Sequence, residues 1–139
     1  MTKFFPATLD KIPVMLTWVR GELQAEHLPS ATIRKLELIT EEAVANVILH
    51  SYRESPGEIE IGIQKTAKGM QMHIRDWGPF YNPLLHAPHI DLEAPLAERE
   101  AGGLGIHLMK QLVDEISYCR DVETNLLTFI VKSPSPQES

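Results

Sequence analysis

Cysteine is almost missing from this chain. Of its 139 residues only Cys119 is one, so no internal disulfide can form. A lone thiol agrees with a reducing compartment, and its apolar and aromatic neighbours predict a packed side chain rather than a nucleophile. No stretch is apolar for long enough to cross a bilayer, and the opening MTKFFPATLDKIP lacks the apolar run of a secretion signal. A cytoplasmic location without membrane attachment is therefore expected. Basic residues form no run either. With 19 acidic against 13 basic residues and a net charge of -6, the chain would repel a nucleic-acid backbone. Gly-x-x-x-x-Gly-Lys-Ser/Thr is absent, which excludes a P-loop, and no glycine fingerprint follows a strand as in dinucleotide-binding folds. Internal repeats are absent too.

What is present is the patterning of one core. The length, with 43% hydrophobic content, suits a single domain, expected over residues 1–132. After an extended segment around Phe4 to Leu9, Ile12, Met15, Leu16, Val19 and Leu23 predict a helix from about Lys11 to Ala25. Ser30 offers an N-cap for a second helix to about Tyr52. Its apolar stripe is Ile33, Leu36, Ile39 or Thr40, Ala43, Val47 and Ile48, and Glu42, Asn46 and His50 form a polar line beside it. Alternating Ile59, Ile61 and Ile63, a turn around Lys68-Gly69, then Met70, Met72 and Ile74 predict an antiparallel hairpin that ends at Asp76. Tyr81 to Ala101 is proline-rich with little periodicity, a long loop with room for one short helix. Gly102-Gly103-Leu104-Gly105 opens a third helix, and two strands follow, roughly Glu115 to Arg120 and Leu126 to Lys132. Residues 133–139 are Ser/Pro-rich and expected to be a disordered tail. The expected class is α+β: a mixed, largely antiparallel sheet covered on one face by helices.

Three features could carry chemistry. Glu42 and Asn46 lie four apart and project from one side of a helix. An asparagine oxygen is a suitable hard ligand for Mg²⁺, and a carboxylate one turn away could accept a proton from an attacking hydroxyl; taken alone, the pair reads first as a solvated helix face. Asp76 closes a strand and is followed by Gly78, which permits close approach to the backbone. Its carboxylate accepts hydrogen bonds and could read the exocyclic amine of adenine, although Asp-x-Gly also makes an ordinary turn. Gly102, Gly103 and Gly105 before a helix let backbone N–H groups converge on an anion such as phosphate, or else form a hinge. His86 and His89 lack acidic or cysteine partners at zinc-ligand spacing. His50 reads as a satisfied, partly buried histidine, and Trp18 and Trp77 read as packing residues.

In their order and spacing, EEAVANVILHSY, RDWGPFYNP, AGGLGIHLMKQLVDEISY and NLLTFIVK resemble the Bergerat ATP-binding fold of the GHKL group, with its histidine-kinase-like ATPase domains. More narrowly they resemble the small anti-sigma factor serine/threonine kinases of bacterial partner switching. The resemblance implies an α/β sandwich that binds ATP and Mg²⁺. It assigns the metal to Asn46, the base to Glu42, adenine to Asp76, and contacts near the nucleotide to Gly78, Gly102, Gly103, Leu104 and Gly105. Two positions depart from the pattern. Phe80 stands where Asp-x-Gly-x-Gly has its last glycine. Ala101 precedes the glycine-rich turn where some relatives carry an arginine, and the sequence leaves open whether Arg99 reaches the γ-phosphate instead.

The resemblance further implies a homodimer that sequesters a sigma factor and phosphorylates a STAS-domain anti-anti-sigma partner. A non-catalytic module, in which ATP sets affinity for a partner, is the first competitor; Glu42 argues against it, since binding needs no carboxylate there. The catalytic half of a histidine kinase, or the ATPase end of a larger machine, would need a phosphoacceptor helix or transducer domain for which 139 residues leave no room.

Overall fold

The computed structural model describes residues 1–52, 57–85 and 103–132, with backbone alone for 103–105. In chain order these form β1 (Thr2–Pro6), a 3₁₀ turn (Leu9–Lys11), α1 (Ile12–Ala25), α2 (Ser30–Asn46), a π-helical turn (Val47–Ser51), β2 (Glu58–Thr66), β3 (Gly69–Asp76), α3 (Gly103–Leu112), β4 (Glu115–Asp121) and β5 (Thr124–Val131). The five strands make one sheet in the order β1-β2-β3-β5-β4. Every pairing is antiparallel, so the largely antiparallel sheet expected from the sequence has no parallel pair among the described residues.

Strand alternation decides which side chains meet the helices. Ile59, Ile61 and Ile63 of β2, Met70, Met72 and Ile74 of β3, and Leu127, Phe129 and Val131 of β5 are buried. They share one core with Met15, Val19 and Leu23 of α1, Leu36, Ile39 and Ala43 of α2, and Ile106 and Met109 of α3. Apart from the smaller Ala43, each such side chain contributes about 1.5–3 kcal/mol on leaving water. The intervening positions carry a polar network on the other face. His73 lies over Gly62 and 2.8 Å from Glu60, and Arg75 pairs with both Glu60 and Asp121.

Four local expectations change. Ser30 is the first helical residue and not the cap: Pro29, extended at ψ 145°, takes the N-cap, and its carbonyl accepts from the N–H groups of Thr32 and Ile33. The second helix does not run as α-helix to Tyr52. After Asn46 it widens to a π turn, closed by Tyr52 N–H donating to the Val47 carbonyl at 2.9 Å. Cys119 is exposed, because inward Ile116 and Tyr118 put it on the outer face of edge strand β4. Trp77 is 45% exposed against Phe4, whereas Trp18 is partly buried against Phe5 as expected of a packing residue.

The β4–β5 hairpin turns through Val122 and Glu123, at φ 40° and 62°. A two-residue hairpin of this hand favours Asn-Gly, and a β-branched residue there is strained. The double change Val122→Asn with Glu123→Gly is expected to stabilise the fold by about 1 kcal/mol, read as a raised denaturation midpoint with unchanged slope.

Candidate functional site

The site forms where the end of α2 meets the end of β3. Asn46, only 6% exposed, and Asp76, 2% exposed, line one small cavity of about 20 Å³. Tyr81, Tyr118, Asn125 and Leu127 are among its other walls. This volume holds about one water, so a nucleobase enters only if the pocket opens. Glu42 does not line the cavity; it sits one turn before Asn46 on α2, partly buried. Burial pushes its carboxyl above the ordinary glutamate value, and the charge of Glu41 adds to that shift. α3 packs on α2 and begins at Gly103, so Gly103, Leu104 and Gly105 form its first turn rather than a turn ahead of it. Gly102, Arg99, His86 and His89 lie outside the described residues.

The π turn shapes this corner. One extra residue in the turn brings Ser51 over the end of β3, where its hydroxyl donates to Asp76 Oδ1 at 2.6 Å. The same turn sends His50 outward. It is exposed and stacks on Tyr81 at 5.3 Å, instead of extending the polar line or being partly buried. Gly78 closes in from the other side, and its N–H also donates to Asp76 Oδ1, at 2.9 Å. A Cβ on Gly78 would lie 2.3 Å from Ser51 Oγ and 2.9 Å from the Ser51 carbonyl, so glycine is required by close approach. Asp76 therefore does make the Asp-x-Gly turn, but with one oxygen.

A third donor to Oδ1 is Asn125 Nδ2 at 2.9 Å. The β3–β5 register sets Asn125 directly opposite Asp76, and β4 sets Arg120 opposite Asn125. Asn125, Ser51, Tyr118 and Arg120 were not singled out from the sequence. The only available signal was the short β4–β5 turn, which aligns Arg120 with Asn125; the pairing with β3 joins residues 49 apart and leaves no local trace.

Asn46 supplies the main hint of a ligand. Its Nδ2 is buried with no hydrogen-bond partner among the described residues. An unsatisfied buried amide costs about 1–3 kcal/mol, and it sits in the cavity wall with nothing to match it. Half a turn about the terminal torsion offers Oδ1 instead, so the side chain can face an anion's oxygen or a hard cation. The donor set thus fits a magnesium nucleotide, since Mg²⁺ needs few protein ligands when phosphates and water complete its shell.

A family described as histidine kinase-like ATPase domain matches residues 5–131, and the chain belongs to it. Among curated relatives, it is 32% identical over 101 residues to the serine/threonine-protein kinase BtrW of Bordetella bronchiseptica, covering 71% of this chain and 70% of that one. It is 24% identical over 119 residues to the serine-protein kinase RsbW of Bacillus thuringiensis, covering 84% and 74%. A solved structure of the RsbU and RsbW domains of a Mycobacterium tuberculosis protein superposes over 98% of the chain with TM-score 0.67 and 16% identity. A blue-light activated histidine kinase of Erythrobacter litoralis superposes over 79% with TM-score 0.54 and 15% identity. The chain spans about a third of the length of these two solved chains, and at such identity they show the shared fold. Among the described residues no helix is long and apolar enough to cross a membrane.

Proposed function

We propose that the protein is an ATP-dependent serine/threonine protein kinase and anti-sigma factor, which binds Mg-ATP and phosphorylates a STAS-domain anti-anti-sigma partner. Supporting this are membership of an ATPase-domain family and the names of the curated relatives. The observation that carries it is the shared cavity in which Asn46, whose Nδ2 has no partner among the described residues, lies with the pinned carboxylate of Asp76.

In this reading Asp76 accepts from the exocyclic amine of adenine, and Gly78 keeps the approach open. The N–H groups of Gly103, Leu104 and Gly105, at the start of α3, face the phosphates, with Gly102 and Arg99 as further candidates for the same role. Asn46 would hold Mg²⁺, which when bound neutralises phosphate charge. Glu42 accepts the proton of the partner's serine or threonine hydroxyl as its oxygen bonds to the γ-phosphorus and the bond to the β-phosphate oxygen breaks, releasing ADP. The phosphate added to the partner carries about two negative charges and weakens its hold on an acidic protein of net charge -6. The freed kinase then returns to a sigma factor. A homodimer in the cytoplasm, with no direct contact to nucleic acid, belongs to the same proposal.

Incubation with γ-labelled ATP and a STAS-domain protein from the same cell tests this. Label is expected on a serine or threonine of that partner; ATP binding without transfer would leave a non-catalytic module. The pH profile gives a second check. Protonated Glu42 cannot accept a proton, so the rate rises as pH passes through its pKa. Burial and Glu41 hold that pKa up, which moves the rise above the range of an ordinary glutamate. Glu41→Gln removes part of the shift and moves the acid limb to lower pH.

A further inference from the structure

We propose that Asn125 is a positioning residue that sets the purine preference of this site, by fixing Asp76 so that one carboxylate oxygen faces the 6-position of the base. This rests on the nucleotide reading above. Asn125 is 4% exposed, and its amide can sit only one way round. Its Oδ1 accepts from the Tyr118 hydroxyl at 2.6 Å, the Tyr81 N–H at 3.0 Å and Arg120 Nη1 at 3.2 Å. Its Nδ2 donates to Asp76 Oδ1 at 2.9 Å, the Pro79 carbonyl at 2.9 Å and Ser51 Oγ at 3.2 Å. Turned by 180°, the amide would set its oxygen against a carboxylate and a carbonyl, and its NH₂ against a guanidinium. Six contacts of matched polarity exclude that. The Tyr118 phenol is protonated at neutral pH and burial pushes its pKa higher still, so the donor that orients the amide persists.

The consequence falls on Asp76. Ser51, Gly78 and Asn125 all donate to Oδ1, so the donors from the described residues converge on one oxygen and leave Oδ2 for a ligand. A pinned acceptor attracts the 6-amino group of adenine and repels the 6-oxo group of a hypoxanthine base. A carboxylate free to turn or to recruit water discriminates less.

Affinities for ATP and ITP, measured by calorimetry on the wild type, Asn125→Leu and Tyr118→Phe, test the proposal. The wild type is expected to prefer ATP. Asn125→Leu should lower the ATP:ITP affinity ratio about tenfold, and Tyr118→Phe by a smaller factor, because it removes one donor from the amide's oxygen. General loss of stability would weaken both nucleotides alike and leave the ratio unchanged. A folded Asn125→Leu with the wild-type ratio overturns the proposal; if that variant does not fold, an unchanged ratio in Tyr118→Phe does so. A wild type that binds ATP and ITP equally overturns it while leaving the nucleotide site standing, whereas a wild type that binds neither removes the underlying reading as well.

Discussion

Glu42→Gln is expected to slow phosphoryl transfer to the partner by about 10²–10⁴-fold, the contribution of a positioned general base, while ATP still binds. The side chain is well suited to such a test. It lies outside the cavity wall, so removing its charge leaves the contacts of Asn46 and Asp76 in place. Its raised pKa comes first from burial and then from Glu41, and a carboxyl of raised pKa is a stronger base than one in water. Single-turnover rates with saturating ATP separate the two roles. A variant that transfers phosphate at the wild-type rate would show that Glu42 takes no proton, and one that also loses ATP would show that it binds the nucleotide.

Asn46→Ala should move binding and stability in opposite directions. In the presence of magnesium, ATP affinity is expected to fall about 10–100-fold, the loss from removing a polar contact to a charged ligand. Its dependence on magnesium should weaken too. The nucleotide-free protein should be as stable as the wild type or more so, because the deleted Nδ2 has no partner among the described residues and alanine suits a helix better than asparagine. Stability given up for a ligand contact is a common mark of a binding site. A variant both destabilised and unimpaired in binding would mean that the amide is a structural group.

Local features of this fold could be read in advance and non-local ones could not. Alternation in Ile59 to Ile63 and Met70 to Ile74, with the turn at Lys68-Gly69, gave the β2–β3 hairpin, because its register is set within a few residues. The stripe from Ile33 to Ala43 gave the buried face of α2, but not the depth of Asn46, which belongs to the polar line beside that stripe and is buried only once α2 meets the end of β3. The π turn was hidden, since Val47 and Ile48 fit an α-helical stripe equally well, and the widening depends on Ser51 finding Asp76 in another element. Asn125 was hidden for a related reason. A polar residue at the start of a strand looks like turn chemistry until β5 is paired with β3 and its amide meets Asp76. Cys119 differs from expectation because β4 is an edge strand whose alternation turns Ile116 and Tyr118 inward, which puts Cys119, opposite Leu126, on the outer face.

The central claim is that one pocket unites the amide of Asn46 and the carboxylate of Asp76 around a magnesium nucleotide. Equilibrium titration of ATP with Mg²⁺ into the wild type and into Asp76→Ala measures this most directly. Saturable binding of one nucleotide per chain is predicted for the wild type, weakened at least about tenfold in the variant. Equal affinity in the two proteins, or no saturable binding to the wild type, would contradict it.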